Sequence, residues 1–159
     1  MSVNLKTEIS KLKSDVPPPA TSTSILDNIN ERDKASPLLM SVTLKKRVAQ
    51  VGFDWDKPEG VLEKLDEEVQ EIKDAIKEDN LPHITEEIGD AFFVLAILSD
   101  KLGIDPEKAL DVANKKFERR FRSVENKMKK AHLPLKCENI DMMEAFWQET
   151  KKEEAKRQE

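Results

Sequence analysis

From Val61 to Leu102 the chain repeats its apolar residues at the spacing of an α-helix, twice in succession. Val61, Leu65, Val69, Ile72 and Ile76 form one stripe; Ile84, Ile88, Ala91, Leu95, Leu98 and Leu102 form the next. The first stretch ends around Asn80 and Pro82 starts the second, so about three residues join them, which predicts an antiparallel αα-hairpin. A charged fraction of 37%, with 4 Gly and no Tyr, agrees with helices that each keep one wet face. The expected fold class is all-α. The second helix also carries Phe93 and Ile97 away from its main stripe, so it is apolar almost all round and needs cover on every side. With few helices in the chain, the expectation is a helical bundle built on the hairpin and completed by homodimerisation.

The remaining helices are marked by their ends. Ser36 and Pro37 open one that carries Leu38, Leu44, Val48 and Val51 and leads to Gly52; Phe53 to Lys57 is then a loop with two aromatics. Asp56 and Pro58 start the first hairpin helix, and Gly103 closes the second as a left-handed cap. Asp105 and Pro106 cap a helix with Leu110, Ala113, Phe117, Val124 and Met128 on one stripe, ending near His132. The last helix runs from about Asn139 to Lys156 and presents Ile140, Met143, Trp147 and Thr150. Pro17 to Pro19 and the Thr21 to Ser24 run bury little, so a flexible tail or linker is expected over 1–35 and one helical domain over 36–159.

Several classes are excluded early. The longest apolar run, Ala91 to Leu98, has 8 residues, whereas a membrane-spanning helix needs about 20. The opening residues fit neither a secretory signal nor a transit peptide, so a cytoplasmic location is expected. Cys137 is the single cysteine, and with only His83 and His132 beside it no thiol–imidazole zinc set forms. Any metal must be held by oxygen.

Acids supply that oxygen where they are least expected. With roughly 100° per residue and Glu68 at zero, Val61, Ile72, Leu65, Ile76 and Val69 fall between roughly 20° and 100°. Glu68 therefore lies inside the apolar stripe, and Glu71 flanks it at about −60°. The second helix repeats the pattern with Glu87 inside its stripe and Asp90 flanking at about −60°. In the antiparallel hairpin the two acidic pairs meet at one height. Four carboxylates on an inward seam repel one another and lose hydration unless a cation sits among them. Oxygen-only ligands fit Mg²⁺ or Mn²⁺, the former usually shared with substrate phosphates. A ferritin-like di-iron site would need Glu-x-x-His, but Asn80 and Lys129 precede the two histidines by three residues.

Charge is segregated along the chain. Residues 61–90 carry 3 basic and 11 acidic side chains, and residues 114–131 carry 8 basic and 2 acidic. Lys116 and Arg120 flank an apolar stripe one turn apart, where two cations can complement a metal on a polyphosphate. Nucleic acid is not expected as a partner, because the chain is acidic overall and no exposed aromatics interleave the bases. Nor is a membrane.

Four strings in order carry a family resemblance. EEVQE (Glu67 to Glu71), followed after fifteen residues by EIGD (Glu87 to Asp90), resembles the EExxE…ExxD pattern of the MazG-type nucleoside triphosphate pyrophosphohydrolases of the all-α NTP pyrophosphatase superfamily. KKRVAQVGFDW (Lys45 to Trp55), ANKKFERRF (Ala113 to Phe121) and FWQETK (Phe146 to Lys151) resemble the C-terminal domain of two-domain members. The resemblance implies hydrolysis of NTPs to NMP and pyrophosphate with Mg²⁺, a nucleotide-pool housecleaning activity, by helical dimers or tetramers. It makes Glu68, Glu71, Glu87 and Asp90 metal ligands, Lys116 and Arg120 a phosphate-binding pair, and Trp147 and Lys151 nucleotide contacts. Glu71 is the expected general base. Phe53 and Trp55 either stack on a base or pack in the core. The leading tail then reads as an interdomain linker, the other domain being absent from these residues. Two readings stay open beside this one: a non-catalytic module that senses Mg-nucleotide, and a pyrophosphohydrolase specific for one modified or deoxy nucleotide.

Overall fold

The structure, a computed structural model, describes residues 24–156. Residues 1–23, most of the expected tail, and 157–159 lie outside the described residues. Six α-helices follow one another: α1 (Glu31–Ala35), α2 (Pro37–Ala49), α3 (Pro58–Lys77), α4 (Leu81–Lys101), α5 (Pro106–Lys130) and α6 (Ile140–Ala155). A 3₁₀ turn, Cys137–Asn139, leads into α6. The described residues are all-α, and no helix is long and apolar enough to cross a membrane.

Local chemistry sets the helix ends. Ser36 caps α2 by accepting a hydrogen bond from the Leu39 amide, and Asp105 caps α5 by accepting from Glu107 and Lys108. Asn80 accepts from the His83 amide at the start of α4. The cap of α3 is Lys57, which makes no side-chain capping bond, so the start expected at Asp56 moves one residue on. Gly103 closes α4 at φ +72, with the Ile104 amide donating to Ser99 O at 2.8 Å.

The α3–α4 hairpin forms as expected, joined by 78–80, with Asp79 at φ 51 turning the chain. It is the most extensive helix pairing, and α3 packs on no other helix among the described residues. Val61, Val94 and Ile97 form its core, flanked by Trp55, Leu65, Phe93 and Leu98. Val61 is fully buried, which stabilises the pairing by roughly 1.5–3 kcal/mol. α2 lies across α4, and α5 pairs mainly with α6, touching α2 and α4 more sparsely.

One expectation changes. Residues 24–35 are docked rather than free: Ile29 is buried, and the Arg47 guanidinium donates to the carbonyls of Ile25, Asp27 and Asn28. The stripes are also only half used within one chain. α3 buries Val61, Glu68 and Ala75, while Leu62, Val69 and Ile76 stay exposed; α4 leaves Ile88, Phe92, Leu95 and Leu102 exposed. Among the described residues, the single chain therefore does not cover α4 all round.

Candidate active site

Glu68 comes into the hairpin seam because it falls seven residues after Val61 and seven before Ala75, two helical turns each way along one buried line. Glu87 stands in the same relation to Val94 on α4. Glu68 is 3% exposed and Glu87 8%. Glu71, half-buried one turn on, joins them: one carboxylate oxygen from each of Glu68, Glu71 and Glu87 lies within 4.8 Å of the others. Asp90 is exposed and stands outside that cluster, so the structure brings together three of the four expected carboxylates.

Their electrostatics are unbalanced. Glu68 Oε1 lies 2.9 Å from Lys64 Nζ, but the buried Glu68 Oε2 has no hydrogen-bond partner. An unpartnered buried carboxylate oxygen costs free energy that a ligand would recover. The Glu68 carboxyl beside it, then burial and the Glu87 charge, push Glu71 above the ordinary glutamate range. On the α4 side, His83 lies 3.0 Å from Glu87 Oε1 through Nε2 and 3.1 Å from Glu78 Oε2 through Nδ1. The Glu78 contact foremost, with Glu87 behind it, raises the His83 pKa. A hard, oxygen-only donor set with an orphaned buried oxygen fits a divalent cation such as Mg²⁺.

The sequence reading gives Lys64 and His83 no role, His83 entering only the exclusion of zinc and di-iron sites. The signal was present: each stands four residues before a buried glutamate, the spacing at which helical side chains meet.

The basic residues are not gathered with the acids inside one chain. Lys116 is exposed, and the Arg120 Nε donates to Glu154 Oε2 at 2.7 Å while Arg119 Nε takes Glu154 Oε1 at 2.8 Å. Both arginines thus tie α5 to α6. Trp147 on α6 packs 5.3 Å from the Phe117 ring and lines an apolar cavity of about 340 Å³ with Phe117, Phe121 and Ile140. Lys151, one turn on, is exposed. Trp55 belongs to the hairpin core, with the Lys45 ammonium 4.2 Å from its ring centroid, so Phe53, 72% exposed, is the open ring of that loop. Lys45 also donates to Phe53 O at 2.6 Å, and Asp54 bridges to Lys101 at 2.9 Å, which fastens the loop to α4.

Comparison with known proteins adds to this geometry. A family model described as the MazG nucleotide pyrophosphohydrolase domain matches residues 56–125, which takes in the whole hairpin and most of α5. A Thermotoga maritima protein named nucleoside triphosphate pyrophosphohydrolase/pyrophosphatase MazG is 38% identical over 120 residues, 73% of this chain and 46% of its own. A nucleoside triphosphate pyrophosphohydrolase of Escherichia coli K12 is 37% identical over 134 residues, 82% of this chain and 50% of its own. The chain spans about half the length of these curated relatives.

Proposed function

We propose that this chain, which matches the MazG nucleotide pyrophosphohydrolase domain over residues 56–125 and relatives named as such pyrophosphohydrolases at 37% and 38% identity, hydrolyses nucleoside triphosphates, ribo or deoxy, to the monophosphate and pyrophosphate with Mg²⁺ as cofactor. The observation that carries this reading is the seam cluster: Glu68, Glu71 and Glu87 converge within 4.8 Å with one buried oxygen unpartnered. A family name alone would fit a chain that had lost its site. These residues have the chemistry to hold a hard cation, with Asp90 on the next turn completing the set.

Mg²⁺, or Mn²⁺ in its place, supplies charge neutralisation on the phosphate and a bound water of lowered pKa. Glu71, half-buried at the edge of the cluster, is the residue assigned to take the proton from the attacking water. Lys116 and Arg120 bind the outer phosphoryl oxygens and offset charge developing there. Trp147 and Lys151 contact the nucleotide, and Phe53, the open ring of its loop, offers a stacking face.

A second copy of the chain belongs to this reading. Leu62, Val69 and Ile76 repeat every seven residues on α3, and Ile88, Leu95 and Leu102 do so on α4, all exposed. Each series lies about 100° round its helix from the buried line, a second seam of coiled-coil type. Another hairpin packed there makes a four-helix bundle, and a homodimer, or a tetramer built from it, brings basic side chains of one copy toward the acids of the other.

The test is pyrophosphate release from the eight common NTPs and dNTPs, with Mg²⁺ and with EDTA. Mg²⁺-dependent release that EDTA abolishes is the expected result. Silence across the panel, with no rise in Tm from Mg²⁺ and nucleotide together, overturns the proposal.

A further inference from the structure

Lys64 occupies the mouth of the acidic cluster. Its Nζ lies 2.9 Å from Glu67 Oε1, 2.9 Å from Glu68 Oε1 and 4.0 Å from Glu71 Oε2. One ammonium therefore touches two of the three converging carboxylates and the exposed acid next to them. Its side chain is only 34% exposed, less than an unengaged helical lysine shows to water. His83 stands in the same register on α4, four residues before Glu87, so each buried glutamate has a nitrogen-bearing side chain of its own helix one turn earlier.

A single positive charge compensates this cluster only in part. Three carboxylates meet one ammonium and one imidazole, and Glu68 Oε2 stays without a partner. A divalent cation would compensate it better and would compete with Lys64 for the Glu68 carboxylate. The geometry points to a competition. We propose that Lys64 is a resident counter-cation of the cluster: it keeps the hairpin seam folded while no metal is bound, and it must release Glu68 when a divalent cation enters. The lysine stem is long and flexible, and Glu67, on the outer side of α3 with its side chain 58% exposed, holds the ammonium after Glu68 is released. Metal affinity is then set by two opposing terms, the pull of the carboxylates and the loss of the Lys64 contacts. The inference rests on the metal-binding reading given above.

Mn²⁺ binding to the full chain, measured by calorimetry without nucleotide, and Tm in EDTA together test it. Lys64→Met is expected to bind Mn²⁺ about tenfold more tightly, the size of one or two partly exposed ion pairs, and to melt lower in EDTA. Lys64→Arg, which keeps the charge, should stay near the parent in both. Lys73→Met, an exposed lysine of the same helix, controls for net charge and should change affinity far less. Affinity of Lys64→Met equal to or weaker than the parent's, or an unchanged Tm in EDTA, overturns the inference. Lys64→Gln serves in the same assays if the methionine variant does not fold. Failure of the parent reading looks different: the unmutated chain then binds no Mn²⁺, and Glu68→Gln leaves that result unchanged.

Discussion

Glu68 occupies a line of α3 whose other members are Val61 and Ala75, both fully buried. Nothing in helix packing asks for a carboxylate there, since an apolar side chain would avoid the desolvation cost altogether. Its retention in a buried seam is what a ligand-binding role explains. Replacing Glu68 by Gln is expected to cut pyrophosphate release by roughly 100-fold or more, since even residues behind the metal ligands cost 10–100-fold. Far-UV circular dichroism should stay helical, because the change also removes a buried repulsion; parental turnover in this variant would take Glu68 out of the chemistry. Gly60 presents a different constraint. A Cβ there would lie 2.8 Å from Trp55 Cδ1, so the helix carries glycine in its first turn to let the indole lie flat on it. Gly60→Ala gains about 1 kcal/mol of helix propensity but forces Trp55 off its seat, at about 1–3 kcal/mol. Urea unfolding should show a net loss of stability. A gain would mean that Trp55 moves freely, and its place in the hairpin core would then need revising.

At the scale of elements, the hairpin was legible because its signals are local. Helical period, Pro after the cap and Gly103 at the end each act within a turn or two. The union of α5 with α6 was not legible in the same way, for it depends on groups 34 and 35 residues apart: Arg120 and Arg119 on one side, Glu154 on the other. Arg119 first and Arg120 next hold the Glu154 carboxyl down at about 2, below its usual 4.5. A depressed carboxylate stabilises the folded form fully above its unfolded pKa and loses that contribution as pH falls through the folded one. The α5–α6 contact should therefore loosen between about pH 4.5 and pH 2. Trp147 sits on α6 against Phe117 and reports on it. The parent's fluorescence should change across that window beyond the change in Glu154→Gln, which lacks the ionisable group. Superimposable profiles would show that the clamp contributes nothing in acid.

On the scale of the whole molecule, the apolar seams govern association. Val69 and Phe92 are exposed on α3 and α4 along with the heptad-spaced residues named above, and apolar side chains gathered on one face mark an association surface. Light scattering is expected to give at least twice the chain mass for the parent and a smaller species for Val69→Lys combined with Phe92→Glu. A monomeric parent would refute the four-helix bundle. What the amino-acid sequence determined by itself was the set of helices, the antiparallel hairpin and the presence of glutamates inside apolar stripes, since periodicity and capping are properties of neighbours along the chain. Only the tertiary structure decided which carboxylates converge. It left Asp90 in solvent, seated Trp55 in the core, paired Arg120 with Glu154 and folded residues 24–35 onto Arg47, because each outcome depends on which surface, distant along the chain, shares a face with it. The angle of a side chain on its helix is a local fact; its partner across the seam is not.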